Sequence, residues 1–210
     1  GSIMLASVML KMGTYGLVRY CLPLFPGAAH RSAGWIAGLA IVGIIYGALV
    51  AMVQPNMKKL VAYSSVSHLG FAVLGLFSLT PLGVAGSLYQ MLAHGLSTGA
   101  LFLLVGVIYE RRHTRLIAEF GGLWKILPVY SVIFLVVMLS SIGLPGTNGF
   151  VGEFLVILAA VKVNFWLAFL AATAMILGAA YTLWMYKRVI FGNVTNHHVE
   201  EMTDINLREY

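Results

Sequence analysis

The sequence predicts an all-α polytopic membrane helix bundle with six transmembrane helices, one of them broken, on three observations. Hydrophobic residues make up 60% of the 210 residues and charged residues 10%, against roughly 45–50% and 25% in soluble domains. Six apolar stretches each come near the ~20 residues that cross a bilayer. The charges crowd into the short segments between them.

The first stretch runs from about Ser2 to Leu22 and is followed by a turn-rich PLFPGAAHRS. The second, Gly34 to Val53, is rich in Gly and Ala, which let membrane helices approach closely. A QPNMKK turn leads to the third, Leu60 to Leu79, and Thr80 and Pro81 introduce the fourth, Leu82 to Tyr109. The segment ERRHTRLIAEFGGLWKILP is expected to lie along the interface, with Trp124 at headgroup depth. The sixth stretch is Phe165 to Phe191. These readings divide the chain into a membrane helix over 1–22, a five-helix membrane unit over 34–191 with its break at 143–149, and a polar inner-face segment over 192–210 that closes nothing.

The fifth stretch, Val129 to Lys162, organises the rest. Its middle reads SSIGLPGTNGFVGEF. Pro145 has no N–H to donate and its ring collides with the preceding turn, so the helix must break there. Gly143, Gly146 and Gly149 loosen the same region. Eight residues beyond the proline stands Glu153. An acidic side chain at bilayer depth costs at least ~2.5–3.5 kcal/mol and so needs a partner, water or a function. Broken helices in lipid require that the freed backbone be buried in protein or face a cavity.

Charge then sets orientation. The excess of +6 reports topology in such a chain rather than affinity for nucleic acid. If the spans alternate, one face carries Lys58, Lys59, Arg111, Arg112, Arg115, Lys125, Lys187 and Arg188, and the other Arg19, Arg31 and Lys162. The first face is the inner one by the positive-inside rule, and the half-helix bearing Glu153 points outward. Asn193-Val-Thr195 matches a glycosylation acceptor that would never be reached on that inner face. Cys21 is the only cysteine, which excludes an internal disulfide. No basic flank or initiator methionine opens the chain, and the abrupt first helix reads as part of something longer.

Four ionisable residues sit deep in apolar spans: Lys11, His68, His94 and Glu153. Ser64, Ser67 and His68 share a face of the third helix, and Ser87, Gln90, His94, Ser97 and Thr98 one side of the fourth. Lysine, two histidines and a carboxylate joined by hydroxyls and water have the chemistry of a proton path, because histidine holds or releases a proton near neutral pH. Blander readings stand beside this. Lys11 and Glu153 could form a structural ion pair, either histidine could be a packing residue, and the two histidines together could ligate a b-type haem. The break at Pro145 could be a packing kink, and His197 and His198 read as solvated.

The strings LKMGTYGLVRYCLPLFP, KKLVAYSSVSHLGF, YQMLAHGLSTGALFLLVGVIYER and GLPGTNGFVGEFL resemble the antiporter-like, proton-translocating subunit M (chain 4) family of respiratory complex I, NADH:quinone oxidoreductase. The resemblance covers nearly the whole chain. It extends more weakly to the large subunits of multisubunit cation/proton antiporters and membrane-bound hydrogenases. It implies two inverted five-helix repeats, of which this chain holds one helix of the first and all of the second. Under it Lys11 is the central lysine, His68 and His94 are relay residues, and Glu153 is the acid on the second broken helix. The uptake half of the path and a last helix would lie outside the chain. The resemblance further implies a subunit of a translocase with no redox chemistry of its own. FMN, iron-sulfur clusters and quinone would reside on partner subunits, and no clustered Cys or phosphate-cradling Gly loop occurs here. The partners would be other membrane-arm subunits, including homologous antiporter-like ones, with lipids and protons but no nucleic acid, in a mitochondrial inner or bacterial plasma membrane.

Overall fold

The computed structural model describes residues 1–194, 196–200 and 202–205, and of His197 and His198 only the backbone. The acceptor pattern ending at Thr195 and the solvation of the two tail histidines lie outside the described residues. Among those residues the regular structure is helical, with no β-strand. Four helices are long and apolar enough to cross a membrane: α2 (Pro26–Met52), α3 (Met57–Phe77), α4 (Pro81–Arg112) and α8 (Phe165–Ile190).

Residues 2–24 form one helical run, α1, interrupted by π-helical turns at Leu5–Met9 and Leu17–Cys21. Lys11 stands in the α-helical piece between them, Leu10–Gly16. Only Phe25 separates α1 from α2. The loop expected at 23–32 is therefore absent. Pro26 takes the first helical position, where its missing N–H forfeits no bond, and Ala28, Ala29 and Ala33 are strong helix formers that carry the turn onward. Along α2, Trp35, Leu39, Val42 and Tyr46 make an exposed apolar stripe, while Ala37, Ala40, Ile41, Ile44 and Ala48 are buried.

The most enclosed of the long helices is α3. Its start is fixed by Asn56, whose side chain accepts from the backbone N–H groups of Lys58 at 3.0 Å and Lys59 at 3.3 Å. Thr80 caps α4 in the same way through the Gly83 N–H, and Asn164 caps α8 through the Trp166 N–H. Each cap satisfies donors that the first helical turn leaves unpaired.

The basic segment after α4 is not one continuous helix, and Trp124 stays exposed on it. It folds back as a 3₁₀ turn, Ile117–Glu119, and a short helix, α5 (Leu123–Ile126), with Ile117, Phe120, Leu123 and Leu127 buried in the largest apolar cluster. Their spacing would suit one amphipathic helix, but Gly121 and Gly122 interrupt it, with Gly122 in the left-handed region at φ +70°, and burial against the bundle removes the apolar side chains from water. The Met57 N–H donates to Arg115 O, the Ile117 N–H to Pro55 O and the Gly122 N–H to Phe191 O. The three basic segments expected on one face thus meet at one end of the bundle.

The fifth stretch divides into α6 (Pro128–Ile142) and α7 (Asn148–Val163). Gly143 ends α6 with φ +79°, and Gly146 follows at φ +96°. At ~1.5 Å per residue each piece is about 22–24 Å long, less than the ~30 Å hydrocarbon core. The polar tail was expected to close nothing, yet it does. Asp204 accepts from the N–H groups of Val129 and Tyr130 at 3.0 and 3.2 Å, capping α6 where Leu127 has no side-chain oxygen to offer. Arg111 at the end of α4 donates to the carbonyls of Thr203 and Asp204, and Val199 and Met202 join the apolar cluster. Residues His197–Glu200 form a last short helix, α9.

Candidate functional site

The four ionisable residues singled out in the sequence come from α1, α3, α4 and α7 and meet in the middle of the bundle. Lys11 Nζ donates to His94 Nδ1 at 2.7 Å and to the carbonyl of Ala6, which belongs to the first π-helical turn. The His94 and His68 rings lie in contact, with centroids 5.4 Å apart. His68 Nδ1 stands 2.7 Å from Glu153 Oε1. The order is Lys11, His94, His68, Glu153. Exposure falls to 8% at His68, 3% at His94 and 2% at Glu153, whereas Lys11 is partly exposed beside an apolar groove of about 900 Å3 between α1 and α4.

The hydrogen-bond partners fix tautomers. An ammonium can only donate, so His94 Nδ1 accepts and the neutral ring carries its proton on Nε2. A carboxylate can only accept, so His68 Nδ1 donates. His94 Nε2 is buried without a protein partner among the described residues.

This geometry disposes of two alternatives. Lys11 and Glu153 are not an ion pair, since both imidazoles stand between them. A haem held by both histidines would need a porphyrin plate between rings that are already in contact. The residues do not fit that group.

The hydroxyl stripes divide. Ser64, Ser65 and Ser97 bond back to their own helices at Val61 O and Ala93 O, a packing role. Ser87 reaches across from α4 to Ala72 O on α3 at 2.7 Å. Gln90, one turn before His94, donates through Nε2 to Glu153 Oε1 at 3.1 Å. Its place in the polar stripe was visible in the sequence; its partner was not. Asn148, at the start of α7, bonds Ser140 across the break and donates to Ala93 O at 3.4 Å. Nothing in the local sequence marks that clasp. The break itself places the acid, because the second oxygen of Glu153 rests over Gly143, where a Cβ would stand 2.9 Å from Oε2.

Residues 1–178 match the family described as the NADH:quinone oxidoreductase/Mrp antiporter transmembrane family. The chain belongs to this family. Members of the NADH:quinone oxidoreductase/Mrp antiporter family similar to it include the NADH-quinone oxidoreductase subunit M of Rhodobacter capsulatus, 49% identical over 209 residues, 100% of this chain and 41% of that protein. The NADH-ubiquinone oxidoreductase chain 4 of Marchantia polymorpha is 46% identical over 209 residues, 100% of this chain and 42% of that protein. Among solved structures, a chain of respiratory complex I from Thermus thermophilus with bound NADH superposes with a TM-score of 0.91 at 38% identity, over 96% of this chain and 42% of that one. A chain of the Mrp complex from Dietzia sp. DQ12-45-1b gives 0.83 at 26% identity, over 87% and 34%. The chain thus spans about two-fifths of the length of the curated relatives it matches. As a member of this family it is an integral membrane protein.

Proposed function

We propose that the chain carries the central and output portion of a transmembrane proton path in a membrane-arm subunit of a proton-pumping NADH:quinone oxidoreductase. One observation carries the reading: four groups able to hold a proton, drawn from four helices, stand in a single line, three of them buried and Lys11 partly so. Lys11 passes a proton to His94 Nδ1, and His94 releases its Nε2 proton toward His68. His68 gives its Nδ1 proton to Glu153, on the half-helix that points to the outer face. Lys11 is loaded from a half of the path outside this chain, and a charge change in a neighbouring antiporter-like subunit alters its hold on its proton.

In this reading the run over residues 2–24 and the α6–α7 pair each count as one span, which with α2, α3, α4 and α8 makes six. The first is the last helix of one inverted repeat, and the other five make the second repeat. FMN, iron-sulfur clusters and quinone reside on partner subunits, in a bacterial plasma membrane or mitochondrial inner membrane. A cation/proton antiporter subunit is the second reading, supported by the Mrp likeness at lower identity and coverage.

The test is Lys11→Ala and Glu153→Gln in the assembled complex. Each is expected to leave NADH oxidation coupled to fewer pumped protons while the complex still assembles. Wild-type stoichiometry in both would end the proposal.

A further inference from the structure

We propose that Gln90 is a positioning residue for the output acid: a side-chain amide that turns over with the protonation of Glu153 and holds the transferred proton away from His68. The inference rests on the proton-path reading above.

Gln90 is 2% exposed, and its Nε2 donates to Glu153 Oε1, the same oxygen that faces His68 Nδ1. The carboxylate oxygen is therefore held from two sides. At the other end of the amide, Gln90 Oε1 is buried with no hydrogen-bond partner among the described residues. Buried polar atoms are nearly always paired, and one that is not calls for an explanation. This one lies against Gly152 of α7, where a side chain would collide with Gln90. The absence of a Cβ there is what lets the amide lie flat against the helix beside the acid.

An amide has a donor end and an acceptor end of nearly equal size. With Glu153 ionised, the donor end must face it, which is the arrangement seen. When His68 takes a proton at Nε2 from His94 and passes its Nδ1 proton to Glu153 Oε1, that oxygen becomes a hydroxyl and His68 is left neutral, with a lone pair at Nδ1. A donating amide then faces a donor. Turning the amide by 180° puts Gln90 Oε1 where Nε2 was, about 3.1 Å from the same oxygen, and the hydroxyl donates to it. The turn breaks no other bond, because the far end of the amide had none. The hydroxyl then points to Gln90 instead of back to Nδ1 of His68, so return of the proton requires the amide to turn again.

The experiment compares Gln90→Met, which keeps length and apolar burial, with Glu153→Gln in the assembled complex. It reads proton pumping and the infrared difference spectrum on turnover, in which the Glu153 carboxyl band is the one that Glu153→Gln removes. The expected result is about a tenfold loss of pumping rate in Gln90→Met, with that band displaced in frequency. An unmoved band with pumping within about twofold of wild type overturns the role of Gln90 while the path stands. Normal pumping in Glu153→Gln overturns both. If Gln90→Met fails to assemble, the unmodified complex labelled with isotopes at glutamine decides. A glutamine side-chain band must change on turnover and lose that change in Glu153→Gln; a band that never changes refutes the turning amide.

Discussion

Two glycines of the break separate backbone strain from damage to the acid. Gly143 has φ +79° and Gly146 φ +96°, conformations that cost a residue with a side chain about 1–2 kcal/mol. Their surroundings differ. A Cβ at Gly146 meets nothing within 4 Å, whereas at Gly143 it stands 2.9 Å from Glu153 Oε2. The carboxylate cannot retreat freely, because its other oxygen is held by His68 at 2.7 Å and Gln90 at 3.1 Å. Bonds to charged groups contribute about 1.5–3 kcal/mol each, so disturbing one is expected to slow transfer by roughly 10-fold to 100-fold at about 1.4 kcal/mol per decade. Gly143→Ala and Gly146→Ala should therefore both lower the thermal stability of the complex through backbone strain, Gly143→Ala further through its collision with Glu153. Only Gly143→Ala should cut proton pumping per NADH oxidised, read by a pH-sensitive dye in proteoliposomes. Equal loss of pumping in the two variants would show that the intact turn, and not its contact with Glu153, is what matters.

Replacing His94 by Leu removes the acceptor of a partly buried ammonium and should cost about 1–3 kcal/mol in thermal unfolding. Adding Lys11→Met should recover most of that without restoring pumping, and additive effects would argue against the contact. Gly152→Ala should push Gln90 off Glu153 and lower pumping with little change in helix content by circular dichroism. Asp204→Ala should lower stability by about 0.5–2 kcal/mol and leave pumping intact, since it opens a cap far along the chain from the ionisable line. A fall in pumping equal to that of Glu153→Gln would contradict this separation.

The long apolar helices and the break at Pro145 were legible because proline, glycine and hydropathy act locally. The four ionisable residues were legible because lipid makes their presence costly. Their order was not, since only tertiary packing puts His94 next to Lys11 and His68 next to Glu153. The helical continuation through Pro26 was hidden because proline serves equally as a breaker and as a first helical residue. The π-helical turns flanking Lys11 carry no sequence mark at all. The inward folding of 116–127 and the Asp204 cap depend on partners far along the chain, which periodicity cannot reveal.

The Asp204 cap has a consequence for how the bundle is held together. The least membrane-like stretch of the chain ties the end of α4, through Arg111, to the beginning of α6. A single protease cut between Gly192 and Asp204 would leave α1 to α8 covalently joined in sequence, and would still release the fastening that keeps the ends of α4 and α6 side by side.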